Sequence, residues 1–271
     1  MMGLLNSQSL DWDRVKYGAG YGEELVTLCD AGITPSRTVS FVSLVNGTID
    51  DSRNHSIKHN INLIDVAGDD FATKVAKRPD AQVSFADMGE DLPKLLANNN
   101  DKVFFIVVDP TSDLAIYTRE EENPDRPGTK NSVTYTVPQK NTLMRFLSML
   151  RQEENKKIME KVSALHIIVT KSDTLADNRE ERKKKAKEIV QERYAHILRP
   201  LKELCVRHHI NPTLKDNAPA LFTFSLGTFY FGGVFDYDST DSDEILNVIA
   251  DLTRGQKKLT AWDRIKKWFN S

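Results

Sequence analysis

Three apolar runs in this chain stop on residues that can do chemistry. "NLIDVAG" carries Asp65 and Gly68 at its end, "HIIVTKSD" closes on Thr170, Lys171, Ser172 and Asp173, and "LFTFSLG" closes on Ser225, Leu226 and Gly227. In an open α/β sheet, ligands bind beyond the carboxyl ends of the strands, because helix N-termini and loop amides converge there. Acids, a lysine, hydroxyls and glycines at three such exits are therefore the candidate site. Other reactive types are less promising. His208 and His209 lie at an expected helix end, where a cationic side chain suits the helix dipole, with no second pair of metal ligands nearby. His55 and His59 flank a strand start and read as surface residues. Ser225 has no nucleophile-elbow context that would make it part of a hydrolase triad.

These exits need strands and helices to place them. Short apolar runs alternate with longer helical patterns, which is the signature of an α/β protein with a mainly parallel sheet. Strands are expected at 38–45, 60–66, 103–109, 164–170 and 220–225, and helices at 92–98, 139–162, 174–206 and 242–252. Asn46-Gly47 and the polar run 50–54 supply turns between the first two strands, which should pair as an antiparallel hairpin. The other three strands read as buried on both faces. Residues 119–131, "REEENPDRPGTKN", read as a polar surface insertion. Residues 178–193 interleave both charge signs at helical spacing and read as a solvated helix. The aromatic, glycine-rich stretch after Ser225 carries no chemistry that the sequence reveals.

Composition narrows the classes. The 271 residues are 39% hydrophobic and 28% charged, enough for one elaborated domain over 1–255 with an amphipathic helix at 256–271. In that helix Leu259, Trp262, Ile265 and Phe269 share a face, suited to docking on the core or a partner rather than to a membrane surface. A net charge of -2 gives no general pull toward nucleic acid, so no nucleic-acid partner is expected. The two cysteines, Cys29 and Cys205, have no metal or disulfide spacing, and a reducing cytoplasm is the expected compartment.

Taken in order, "DVAG", "TKSD" and "SLG" resemble the motifs of the P-loop GTPases of the Ras-like and translation-factor class, and the "VFFIVVDP" strand is similar to the middle strand of bacterial and archaeal double-GTPase-type domains. The resemblance covers residues 34–253. It implies a three-layer GTPase-like sheet, GTP or GDP with Mg²⁺ as ligands, and a protein effector as partner. Asp65 would hold Mg²⁺ through water and the Gly68 amide would meet the γ-phosphate. Thr170, Lys171 and Asp173 would form the guanine box, with Asp173 accepting from N1 and N2 of the base and the Lys171 stem lying over its plane. Ser225 and Leu226 would stand for the loop whose amide reads guanine O6. Thr34 or Thr38 would be the switch threonine on the metal. Asp69 occupies the position where small GTPases keep a glutamine that orients the attacking water, and a carboxylate there repels the γ-phosphate.

One part is absent from the string. No G-x-x-x-x-G-K-[ST] occurs in the 271 residues, and the nearest imitation, at Gly128, follows no strand. "YGAGYG", with Gly18, Gly20 and Gly22, follows "SLDWDRVK", which does not read as a buried strand; it is a phosphate nest or, more in keeping with its composition, a flexible switch loop. The family's sheet would then lack its central first strand, with "MMGLLNSQSL" as the helix that follows the loop and the strand and loop lying upstream of Met1. The alternative is a rearranged pseudo-GTPase acting as a non-catalytic interaction or scaffold module. On either view a guanine-nucleotide switch domain with little or no hydrolysis by itself is the expectation.

Overall fold

Residues 162–169, "VSALHIIV", are rich in β-branched side chains and form the central strand of the sheet around which the domain is built. In the computed structural model, which describes residues 2–14, 19–31, 42–51, 54–66, 91–229 and 235–255, the elements run as follows. Helix α1 (Met2–Asn6), strand β1 (Leu10–Trp12), helix α2 (Ala19–Asp30), strand β2 (Val42–Asp51) and strand β3 (Asn54–Val66) come first. Then follow α3 (Asp91–Ala97), β4 (Lys102–Val108), β5 (Leu114–Glu122), β6 (Lys130–Pro138), α4 (Gln139–Leu150), α5 (Lys156–Met159) and β7 (Val162–Val169). The chain closes with α6 (Arg179–Arg193), α7 (Ala195–Arg207), β8 (Leu221–Thr223), β9 (Gly227–Phe229), β10 (Phe235–Tyr237) and α8 (Thr240–Gly255).

The protein is an α/β protein with mixed sheets. Strands β4, β7 and β8 form a parallel sheet in the order β4-β7-β8, with Phe104 beside Leu165 and Ile168 beside Phe222. Strands β1, β2 and β3 form an antiparallel sheet, and the expected pairing of β2 with β3 is present, from Val42 opposite Val66 to Asp51 opposite Asn54. Alternate residues of β7 feed two cores on opposite faces. Leu165, Ile167 and Val169 pack with Leu147, Val190, Leu201 and Leu204 of the surrounding helices. Ile168 on the other face packs with Phe222, with Ile245 and Ile249 of α8, and with Val45 and Ile49 of β2. Helices therefore cover both faces of the parallel sheet, as its crossover connections require.

Local sequence explains most elements. Helix α7 buries Ile197, Leu201, Leu204 and Cys205, spaced to make one apolar stripe. Helix α6 buries only Ala186 and Val190, so its many charges are solvated, as their interleaving predicts. Its start is fixed by Asn178, whose Oδ1 accepts from the Glu181 amide at 2.8 Å while its Nδ2 donates to the Glu181 carboxylate at 3.2 Å. Replacing this cap in Asn178→Ala is expected to cost about 1 kcal/mol of stability. A shift in the urea midpoint at unchanged slope measures it.

Four expectations need correction. Residues 120–131 lie at the surface as expected, but 119–131 are the tip of an unexpected hairpin in which β5 pairs with β6, Leu114 opposite Pro138 and Glu122 opposite Lys130. The run 139–162 is not one helix: α4 ends at Leu150, a 3-10 turn spans Glu153–Asn155, and β7 has begun by Val162. The run 174–206 breaks at Tyr194 into α6 and α7. "SLDWDRVK" does contain a strand, β1, with Leu10 and Trp12 buried, and Gly20 and Gly22 lie in helix α2 rather than in a loop. Gly22 is there for a close approach: a Cβ at that position would stand 2.6 Å from the Trp12 ring. Residues 256–271, the expected amphipathic helix, lie outside the described residues. No helix among the described residues is long and apolar enough to cross a membrane.

Candidate functional site

Parallel pairing brings the carboxyl ends of β4, β7 and β8 to one end of the sheet, so Asp109, Thr170, Lys171, Asp173, Ser225 and Leu226 gather there. Two bonds knit the exits together. The Thr170 amide donates to the Val108 carbonyl at 3.0 Å, and the Ser172 amide donates to the Phe224 carbonyl at 3.2 Å. Lys171 turns the chain out of the strand in the left-handed region, φ 51, unusual for a side chain with a Cβ. A 3-10 turn, Ser172–Thr174, follows, and the Thr174 hydroxyl donates to the Lys171 carbonyl at 2.7 Å.

The charges at this end are partly neutralised by one another. Lys171 Nζ donates to Asp109 Oδ2 at 2.6 Å, while the Thr111 amide donates to Asp109 Oδ1 at 2.8 Å. Burial pushes the Asp109 carboxyl up, but the bonds from Lys171 and Thr111 outweigh it and hold the group below the ordinary carboxylate value. Asp173, two residues on, is exposed, and among the described residues no hydrogen bond or ion pair reaches its carboxylate. Beneath it, the buried hydroxyls of Ser172 and Thr223 have no hydrogen-bond partner.

Across the end, Asp241 at the start of α8 organises the third exit. Its Oδ2 accepts from the Ser225 amide at 3.0 Å and its Oδ1 from Arg179 Nε at 3.1 Å. Burial raises the Asp241 carboxyl above its ordinary value, against the pull of Arg179. The Gly227 amide donates to Ser225 Oγ at 3.2 Å, which leaves the Leu226 amide as the one backbone donor of this loop without a bond among the described residues. Gly227 itself sits at φ 131, where a Cβ would stand 2.0 Å from the Asp236 carbonyl, so the loop admits no side chain at that point.

Asp65 belongs to a different neighbourhood. Its carboxylate accepts from the Tyr21 hydroxyl at 2.7 Å, in the first turn of α2. The last turn of the same helix places Cys29 beside Asn6 and near Tyr237, and Tyr237 bonds Ser242 next to Asp241. Tyr21 and Cys29 are eight residues apart (29 − 21 = 8), about 12 Å along a helix. Asp65 and the Ser225 end thus lie at opposite ends of α2. Gly68, Asp69, Thr34 and Thr38, expected as phosphate, water-orienting and metal residues, lie outside the described residues.

No family model, no curated protein and no solved structure matches the chain.

The geometry therefore divides the expected ligand. Asp173 and the Leu226 amide lie at the exits of neighbouring parallel strands, whereas the hydroxyls of Ser172 and Thr223 are buried and out of reach of any ligand at the surface. The described residues do not fit Mg²⁺ beside a base held there, because Asp65, the only described member of the expected metal set, is held by Tyr21 at the far end of α2. Sequence reasoning missed Asp109 and Asp241. Asp109 ends "VFFIVVD" as Asp65 ends its own run, a signal of the same kind; Asp241 lies in the stretch that carried no recognisable pattern.

Proposed function

We propose that this chain binds a guanine nucleotide through its base at the carboxyl end of the parallel sheet, with little or no hydrolysis by itself. The observation that carries the reading is the exposed, unbonded Asp173 carboxylate two residues after Lys171 at the exit of a buried parallel strand. Guanine presents N1–H and its N2 amine side by side, which match the two oxygens of a carboxylate, whereas adenine offers neither. The free Leu226 amide supports the same reading, since it can donate to O6. The succession of "TKSD" and "SLG" at the exits of two paired parallel strands supports it further. No step of hydrolysis follows, because Asp65 stands away from this end.

Competition with a fluorescent guanine nucleotide tests the proposal. GDP should displace the probe and ADP should not. Asp173→Asn is expected to weaken GDP binding by about tenfold or more, as a charge-assisted pair is lost, and to favour xanthine, whose C2 carbonyl accepts from the new amide. Equal affinity for GDP and ADP, or an unchanged preference in Asp173→Asn, would remove the guanine reading.

A second reading, a non-catalytic interaction module, is favoured by a separate observation. A long apolar slot of about 920 Å³ runs between β3 and β4, away from the guanine-reading residues.

A further inference from the structure

The slot has an unusual boundary. Along one side it is lined by residues 60–65 of β3, along the other by residues 102–107 of β4. Neighbouring side chains on a strand point to opposite faces, so a cavity lying over a face would touch alternate residues. This one touches every residue of both stretches and hence runs along their edges. The opposite edge of β3 is occupied by β2, and the opposite edge of β4 by β7. Among the described residues, no ladder pairs the slot-facing edge of either strand. The slot is thus bounded on two sides, among the described residues, by strand edges that carry no ladder.

Its other two walls are mainly apolar, with Thr142, Ser163 and the polar run 98–101 also at its boundary. Ile245, Ile249 and Leu252 of α8 stand on one face, and Leu92, Leu96 and Phe146 on the other. Val107 is 56% exposed within the apolar run of β4, and Ile64 is 37% exposed beside Leu63 in β3. A chain segment in the slot would cover both. Each residue of a strand rises about 3.3 Å. The two stretches that bound the slot, 60–65 and 102–107, are six residues each, about 20 Å of strand, room for a segment of about that length.

We propose that this slot binds an extended, uncharged, apolar peptide segment of a partner polypeptide, which completes the sheet by hydrogen-bonding to β3 and β4 at once. Backbone pairing on both edges supplies affinity, and side chains entering the two apolar walls supply selectivity for β-branched residues. A charged side chain in the middle of the segment is excluded, since neither helical wall offers it a partner. The proposal names the partner chemistry for the interaction reading and stands apart from guanine binding, which is read at Asp173.

The test uses the whole chain and a synthetic octapeptide of six valine and alanine residues with a lysine at each end for solubility, capped at both termini. Peptide binding should slow amide exchange at residues 61–64 and 103–106 by about tenfold or more. The same peptide with two central prolines, which cannot donate to a ladder, should bind at least about tenfold more weakly. Val107→Glu, at a position exposed enough to tolerate the change, should weaken the valine peptide by a similar factor and leave GDP binding unchanged. Three results would overturn the proposal: exchange already slow at both edges in the free chain, binding that leaves those amides unprotected, or equal binding of the proline peptide. Any of them would leave an interaction through another surface, and the guanine reading, to be judged by their own measurements.

Discussion

Taking the protein from pH 6.5 down to about 4 is expected to remove roughly 3 kcal/mol of folding stability through His166 alone. The imidazole is 2% exposed, with its ring 5.9 Å from Phe105 and 5.4 Å from Phe222. Burial lowers its pKa from the ordinary 6.5 to about 4. Its Nδ1 accepts from the Ala220 amide at 3.3 Å, so a proton arriving there would also break a bond that ties β7 to the start of β8. Because the folded value is depressed, the unfolded chain takes up the proton first. The contribution is fully present above pH 6.5 and is lost as pH falls through the window to about 4, at about 1.4 kcal/mol per pH unit. Urea midpoints measured across that window check it. His166→Gln, which keeps an acceptor for Ala220 but does not titrate, should flatten this part of the profile. The carboxyls of Asp109, Asp238 and Asp243, all held below the ordinary carboxylate value, act at lower pH and do not account for a loss above about 4.

Asn211→Ala is expected to cost about 4 kcal/mol. Asn211 is 1% exposed, and its side chain does the work of a strand. Its Oδ1 accepts from the Leu165 amide at 3.0 Å and its Nδ2 donates to the Leu165 carbonyl at 2.9 Å, on the edge of β7 that β8 reaches only from Ile167 onward. Truncation leaves both Leu165 groups buried and unpaired, each worth about 1–3 kcal/mol. Alanine is also strained at the left-handed φ of 54 that Asn211 adopts, which asparagine tolerates better. Asn211→Gly separates the two contributions, since it relieves the backbone but restores neither bond, and should still lose about 2 kcal/mol or more. A loss below about 1 kcal/mol in Asn211→Ala would show that the amide pairing contributes little.

The sequence and the structure agree where a local pattern has a single reading. Strands β4 and β7 are dense in β-branched residues, bounded by polar stops, and could be placed nearly to their ends. The β2–β3 pairing followed from the polar run at 50–54, whereas Asn46-Gly47, the other expected turn, lies inside β2 opposite Asn62 and Ile61. Elsewhere a stronger signal masked a weaker one. The charges and prolines of 119–131 concealed the alternation on either side that makes β5 and β6. Gly20 and Gly22 read as a loop, although Gly22 is needed so that Trp12 can lie against a helix. Lys171 and Asp173 were legible because they follow a buried strand directly. The pairing of Lys171 with Asp109 was not, because 62 residues separate them and only the parallel register of β4 with β7 brings them together. Nor could the position of Asp65 be read, because its place depends on Tyr21 and the direction of α2, which no motif encodes.

The edge-lined slot also bears on how the domain comes apart. Among the described residues, no backbone ladder crosses from the β1–β2–β3 sheet to the β4–β7–β8 sheet, and the two are joined through the side chains of one core cluster. Opening that contact breaks packing but no strand pairing. Among the described residues the antiparallel sheet meets the parallel sheet through side chains and no ladder, so it is expected to open as a unit of its own.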